Sequence, residues 1–161
     1  MSNETTASTL TLPSDREIEM SRVFNAPREL VWMAYTDPQH VPNWWGTGNP
    51  TTTIVDEMDV RPGGRWRWVV RGEDASEYGF RGEYVEVVPP EKLVYTFEFE
   101  PPSGQMTYYL TFEEIDGKTR LTARTLFASK EERDGILEYG MESGANMAWD
   151  QLEVLLENLK K

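Results

Sequence analysis

The 161-residue sequence has no cysteine and only one histidine, His40. The missing cysteine excludes disulfide bonds, cysteine nucleophiles and the cysteine-containing ligand sets of structural zinc sites. A Ser-His-Asp triad would depend on His40 alone, because no other histidine is present. The acidic residues are spread along the chain without the alternating spacing of a calcium loop. We therefore predict no metal site, no cofactor and no assigned catalytic residue.

Basic residues and long apolar runs are also scarce. The chain has 16 Lys and Arg against 28 Asp and Glu, a net charge of −12 that repels a phosphate backbone. No stretch approaches the roughly 18 consecutive apolar residues of a membrane span. We expect a soluble, cytoplasmic protein that neither binds nucleic acid nor crosses a membrane. Its oligomeric state is not evident from the sequence.

The chain reads as one domain preceded by an arm. Residues 1–15 are rich in Ser and Thr, which predicts a flexible N-terminal arm. Residues 16–161 contain no internal repeat and no linker, which predicts a single domain. Within it, residues 16–25 alternate apolar and polar side chains as a half-buried strand does. Pro27 and the Asp37-Pro38 pair are each typical of the start of a short helix.

The rest of the domain changes from strand to helix patterns. Six runs rich in Val, Thr, Tyr, Phe and Trp are separated by turn signals, and they predict strands at 53–60, 65–71, 78–87, 93–100, 106–114 and 119–127. Helical spacing returns over 130–161, with a break at Gly140. The predicted fold class is α+β: a curved seven-stranded antiparallel sheet around a long C-terminal helix, with two short helices between strands 1 and 2.

Aromatic residues are abundant in this polar chain. There are 6 Trp, 7 Tyr and 6 Phe at a mean hydropathy of −0.59. Successive strand residues face opposite ways, so Trp66 and Trp68 share one face, as do Tyr95 and Phe97 on another strand. Small residues recur on the C-terminal helix, which is predicted to cover this face. Large and small side chains either interlock as a packed core or leave a hollow for a ligand, and both alternatives are open at this stage.

The candidate site residues follow from this geometry. The predicted cavity walls, mouth and lid are Trp44, Trp45, Trp66, Trp68, Phe80, Tyr84, Tyr95, Phe97, Tyr108, Leu110, Met141, Gly144 and Ala148. Arg22 and Asp56 have the parity of inward-facing residues, and either is a polar contact for a ligand, half of a structural ion pair, or turned outward by a bulge. His40 is the one imidazole of the chain and so the candidate for acid–base work, and the alternative is an exposed surface histidine.

Several segments together resemble one known family. These segments are RVFNAPRELVW (22–32), TDP (36–38), WWG (44–46), MDVRPGG (58–64), FRGEY (80–84), VPPEKL (88–93) and GMESG (140–144). Through them the chain is similar to the SRPBCC (START-like) superfamily, in the branch named after the C-terminal domain of the activator of a heat-shock chaperone's ATPase. One departure is Ala145, where many relatives carry Trp after the glycine that matches Gly144.

The resemblance implies a helix-grip fold with a cavity between the sheet and the C-terminal helix. It favours the hollow, and so a protein that encloses a small apolar or aromatic ligand without firm catalytic activity. Two alternatives stay open because function belongs to the site and not to the fold. One is an interaction protein that regulates a chaperone ATPase. The other is a cyclase or dehydratase type of enzyme that uses Arg22, Asp56 and His40.

Overall fold

An open antiparallel sheet dominates the protein. The computed structural model describes residues 8–45, 51–100 and 105–160. These residues form eight strands: β1 (Thr9–Thr11), β2 (Glu17–Phe24), β3 (Thr52–Met58), β4 (Arg65–Arg71), β5 (Glu77–Val88), β6 (Lys92–Phe99), β7 (Gln105–Ile115) and β8 (Lys118–Leu126). Their order across the sheet is β1-β2-β8-β7-β6-β5-β4-β3, and all neighbours are antiparallel. Short turns join β4 to β5, β5 to β6 and β7 to β8, as expected for antiparallel neighbours.

Helices cover one face of this sheet. They are α1 (Arg28–Thr36), α2 (Lys130–Glu138) and α3 (Met141–Leu159), and a 3-10 turn (Val41–Asn43) follows α1. Gly140 has φ +98° between α2 and α3, a backbone conformation that glycine adopts without strain. The inward side chains of α3, Trp149, Leu152 and Leu156, join one buried cluster with the strand residues. That cluster places the core between α3 and the sheet.

The predicted α+β class and the long C-terminal helix are confirmed, but the strand count is one too low. The extra strand β1 lies in the segment predicted as a flexible arm, where Leu10 pairs with Met20. Leu10 packs against the core, and β1 supplies backbone partners to what would otherwise be the free edge of β2. Residues 1–7 of the predicted arm lie outside the described part of the chain.

The second predicted short helix is present as a 3-10 helix, and it begins at Val41 and not at Pro38. Residues 38–40 form turns, and only Val41–Asn43 form a 3-10 turn. Asp37 accepts a hydrogen bond from the backbone N–H of Gln39 at 2.8 Å, which closes a local turn around the side chain. Pro42 has no N–H to donate to a longer helix. The chain therefore turns within a few residues, and Trp44 packs against Tyr35 of α1 while Trp45 packs against Trp68 of the sheet.

Candidate ligand-binding site

Six aromatic side chains on β4, β5, β6 and β7 form a continuous layer facing the helices. We call this layer the aromatic surface, and its members are Trp66, Trp68, Phe80, Tyr95, Phe97 and Tyr108. Ring centroids are 4.5 Å apart for Trp66 and Trp68 and 5.4 Å for Trp66 and Phe97. The strand parity that predicted these positions also explains their common direction. The rings touch one another, so the described conformation is packed at these contacts.

The two consecutive tryptophans after α1 have different positions. Trp44 is only 2% exposed, and its Nε1 donates to the carbonyl oxygen of Ala34 in α1 at 2.8 Å. It belongs to the core beneath α1, which corrects its predicted place at the mouth. Trp45 is half-buried, and its ring contacts the rings of Trp68 at 4.8 Å and Phe80 at 5.1 Å. Trp45 thus covers part of the aromatic surface from a connecting segment; Gly46, the next residue of the WWG motif, lies outside the described residues.

One polar atom in the aromatic surface has no partner. Nε1 of Trp68 is buried and forms no hydrogen bond with any described residue. Nearby indoles differ: Nε1 of Trp66 donates to the carbonyl oxygen of Thr96 at 3.1 Å. The other such atom in the described part of the chain is Nε of Arg28, in the first turn of α1. Because buried polar groups are nearly always paired, the Trp68 N–H is a candidate ligand contact.

Four phenols occupy the inner side of the fold. They belong to Tyr35, Tyr84, Tyr95 and Tyr108, and burial raises the pKa of each. For Tyr108 the value is about 12, with a hydrogen bond to Thr125 acting in the opposite direction. Repulsion from the other three phenols adds to the raised pKa of Tyr95. The cluster therefore offers neutral hydroxyl groups to a ligand at any physiological pH.

Two residues in this region were not among the predicted site residues. Nε1 of Trp149 on α3 donates to the hydroxyl oxygen of Tyr35 on α1 at 3.0 Å, which ties the two helices together over the sheet. Trp149 lies one turn after Ala145 and occupies space between sheet and helix. The spacing of Val31, Ala34 and Tyr35 on one face of α1 was the signal for Tyr35.

The raised phenol pKa values predict a loss of stability in alkali. A phenol whose folded pKa exceeds its unfolded value near 10 favours folding below about pH 10, and this contribution falls as pH rises toward the folded pKa. Each such group removes about 1.4 kcal/mol of stability per pH unit in that window. Urea denaturation between pH 9.5 and 11.5 measures the slope. Tyr95→Phe should make the slope of stability against pH shallower by about 1.4 kcal/mol per pH unit.

A second tyrosine provides the control for this prediction. Tyr139 is 89% exposed, so Tyr139→Phe changes the tyrosine count without touching the buried cluster. The slope should stay as in the unmodified chain. Equal slopes for Tyr95→Phe and Tyr139→Phe would show that the buried phenols do not control alkaline unfolding.

The helical side of the site differs from its prediction at one residue. Met141, Ala145 and Ala148 are half-buried and pack against the core, whereas Gly144 is exposed. A Cβ added at Gly144 would meet nothing within 4 Å. Gly144 therefore does not line the space over the sheet, because the rotation of α3 turns Ala145 inward in its place. Leu110 is 1% exposed and forms part of the packed core.

Arg22 is buried in a complete set of polar contacts between β2 and α3. Nη1 lies 2.9 Å from Asp150 and 3.3 Å from Glu153, and Nη2 donates to Asn146 at 3.0 Å. Nε donates to the hydroxyl of Ser8 at 2.8 Å. The guanidinium has partners for all three nitrogens, so this geometry is that of a structural ion pair.

The other two polar candidates lie elsewhere. Asp56 lies at a β-bulge between Val55 and Glu57 and points outward, where it pairs with Arg67 at 3.2 Å, so the alternative of a bulge that turns it outward is the one observed. His40 lies in the turn before the 3-10 segment, with Nε2 4.0 Å from a carboxylate oxygen of Asp37. Arg22, Asp56 and His40 are therefore not brought together, and they form no common acid–base centre.

Two depressions among the described residues involve the aromatic surface only through Trp66, which lines one of them. One of about 450 Å³ is on the outer face of the sheet, among the paired charges of Arg67, Arg81 and Glu100. The other, of about 400 Å³, lies between the 3-10 turn and the outer side of α3 and includes Val154. Both have mixed polar and apolar walls, unlike the uncharged interior layer beneath Trp45.

Comparison with known proteins identifies the family. The model of the family described as Activator of Hsp90 ATPase homolog 1-like protein matches residues 25–157, most of the chain. The chain belongs to this family. Its match spans α1, the strands of the aromatic surface and nearly all of α3, so the whole candidate site lies within the family domain. No protein with a curated description matches the chain.

Solved structures of similar proteins share the fold. Protein Ms6760 from Mycobacterium smegmatis is 29% identical, with 92% of this chain and 97% of that chain covered and a TM-score of 0.80. A protein from Rhodobacter sphaeroides is 24% identical over 94% and 98% of the two chains, with a TM-score of 0.87. CalU16 from Micromonospora echinospora is 21% identical over 94% and 87%, with a TM-score of 0.67.

Family and fold together suggest a ligand-binding or regulatory function. In the described ranges, none of the helices has the length and apolar character needed to cross a membrane.

Proposed function

We propose that this protein binds a small apolar or aromatic ligand between the sheet and α3, on the aromatic surface. The observation that carries the proposal is the position of Trp45. A half-buried ring from a connecting segment covers this surface, and it contacts Trp68, Phe80 and Phe97 through its side chain. Displacing one ring on a connecting segment exposes a preformed apolar layer without moving a strand. Ligand sites are typically such apolar layers with few polar groups.

The composition of α3 supports the same location. Ala145 and Ala148 are small residues on the side of α3 that packs against the core, and both are half-buried. Because these side chains are small, they leave space between α3 and the sheet unfilled when Trp45 moves. The neutral phenols of Tyr84 and Tyr95 lie on the same side and provide hydroxyl groups for a polar atom of the ligand.

Titration with the neutral fluorophore N-phenyl-1-naphthylamine tests the proposal. We expect enhanced probe emission and quenched tryptophan emission that saturate at one probe per chain. Bound probe should also raise the melting temperature, because a ligand of the native state stabilises it. A response that neither saturates nor raises the melting temperature would contradict the proposed site.

Two adjacent substitutions on α3 locate the binding. Ala145→Trp places an indole at the inner side of the helix, and we expect it to weaken probe binding at least about tenfold, since the added ring occupies the ligand's space. Gly144→Trp adds the same side chain one residue earlier, where the structure is open to solvent. That variant should bind the probe within about twofold of the unmodified chain. Equal effects of the two variants would place the binding elsewhere.

The description of the family supplies a second candidate, regulation of a chaperone ATPase. Adding the chain to an Hsp90-type chaperone and measuring ATP hydrolysis tests it directly. Stimulation that Ala145→Trp leaves intact would favour this role over the ligand site. A cyclase or dehydratase activity has less support, because the three polar residues predicted for it have separate roles. Arg22 is in a structural ion pair, Asp56 pairs with Arg67 on the outer face, and His40 lies in a turn.

A further inference from the structure

The Trp68 indole differs from its neighbours in its hydrogen bonding. Three other buried indoles donate to protein oxygens: Trp44 at 2.8 Å, Trp66 at 3.1 Å and Trp149 at 3.0 Å. Nε1 of Trp68 is buried without a partner among the described residues, although Trp68 is only 4% exposed. An unpaired buried N–H opposes folding, so an oxygen that reached it would gain a hydrogen bond at little further desolvation cost.

The aromatic rings that meet the Trp68 indole are uncharged. The Trp45 ring lies 4.8 Å and the Trp66 ring 4.5 Å from the Trp68 ring, and Phe80 on β5 is paired with Trp68 on β4. An ionised group placed among these rings would have no counter-charge and would be strongly disfavoured. The buried cation Arg22 does not change this, because its nitrogens are already engaged with Ser8 and with residues of α3.

The position of Trp45 sets the size of the group that fits. Its indole contacts Trp68, Phe80 and Phe97 at once, so a ring that takes its place meets the same three side chains. Resting on the proposed function, we propose that the ligand is a neutral aromatic compound with a ring system about the size of an indole. Its carbonyl or ether oxygen accepts a hydrogen bond from Nε1 of Trp68 after the ring has displaced Trp45.

A matched pair of bicyclic probes tests the hydrogen bond. 1-Indanone and indane share one ring skeleton, and only the ketone has an acceptor oxygen. We expect 1-indanone to bind about tenfold more tightly than indane, the factor typical of satisfying a buried donor. In ¹⁵N-correlated NMR spectra the indole N–H signal of Trp68, assigned through its own side-chain correlations, should move downfield with the ketone and not with the hydrocarbon.

Charge is tested with a third probe. 1-Oxoindane-5-carboxylate keeps the acceptor oxygen and adds an ionised group. We expect it to bind at least about tenfold more weakly than 1-indanone, because the carboxylate loses its hydration among uncharged rings. Binding as tight as that of the ketone would overturn the neutral ligand class.

Two tryptophan variants separate the donor from its ring. Trp68→Phe keeps an aromatic side chain but removes the N–H, so 1-indanone and indane should bind with equal affinity. Trp44→Phe is the control, since Trp44 lies outside the aromatic surface and its N–H is already bonded to the Ala34 carbonyl oxygen, and the preference for the ketone should persist. If Trp68→Phe fails to fold, the movement of the Trp68 signal in the unmodified chain decides.

Failure of this inference is distinguishable from failure of the proposed function. Suppose that N-phenyl-1-naphthylamine binds but that 1-indanone and indane bind with equal affinity, or that the Trp68 signal does not move. Either result would refute the role of Trp68 as a donor and leave the proposed ligand site intact. No binding of the naphthylamine or of either bicyclic probe would refute both.

Discussion

Replacing Trp149 by alanine is expected to lower the free energy of unfolding by about 3–5 kcal/mol. The ring is 5% exposed and meets Phe24 edge to face at 5.7 Å. The guanidinium of Arg22 lies 5.8 Å from the Trp149 ring centre, so removing the Trp149 ring also uncovers this buried cation. Loss of Nε1 leaves the Tyr35 hydroxyl without the donor it has now.

Urea denaturation followed by circular dichroism measures this loss, and Trp149→Phe divides it into two parts. The phenylalanine keeps most of the ring volume and removes the hydrogen bond, so it should cost about 1–2 kcal/mol. An alanine variant within about 1 kcal/mol of the unmodified chain would show that α3 does not depend on this ring.

Gly82→Ala is expected to destabilise the protein by about 3 kcal/mol. Gly82 on β5 lies opposite Trp66 on β4, at the point where the Trp66 indole reaches the carbonyl oxygen of Thr96 on β6. A Cβ at Gly82 would overlap that backbone oxygen and lie 2.6 Å from Nε1 of Trp66. Neither neighbour can move freely, because one is backbone and the other is a 1% exposed ring.

Gly135→Ala is the matched control for this prediction. Gly135 lies within α2, and a Cβ there meets nothing within 4 Å. Alanine favours a helix over glycine by up to about 1 kcal/mol, so this variant should be neutral or slightly more stable. Similar losses for the two variants would mean that the close approach at Gly82 does not set its cost. The comparison uses chemical denaturation under identical conditions.

The match between sequence pattern and structure differs from element to element. Alternation predicted the inward faces of β2, β4, β6 and β7, because a strand's period of two depends on the backbone alone. The same rule does not hold at Asp56, since a bulge adds a residue to one strand and no single-sequence pattern marks it. Helical spacing predicted α3, but not that Ala145 rather than Gly144 faces the sheet. Consecutive residues of an α-helix differ by about 100° around its axis, and the packing of α3 decides which of the two faces the sheet.

Strand β1 illustrates a different limit. Its three residues are too few for an alternating pattern to mark a strand, and they become one by pairing with the edge of β2. This pairing depends on the edge of β2, which exists only when the sheet has formed. The partners of His40 and Arg22 depend on folding in the same way. Asp37 comes close to His40 only after the chain has turned, and Asp150 comes close to Arg22 only after it has folded.

The sequence by itself determined the fold class, the order of its main elements, the family resemblance and the set of rings on the inner face, because these follow from local periodicity and motifs. Only the tertiary structure decided which polar groups have partners. It used Arg22 in an ion pair, turned Asp56 outward and left the Trp68 N–H unpaired beneath Trp45. Hydrogen bonding depends on distances between residues far apart in the chain, and folding alone sets those distances.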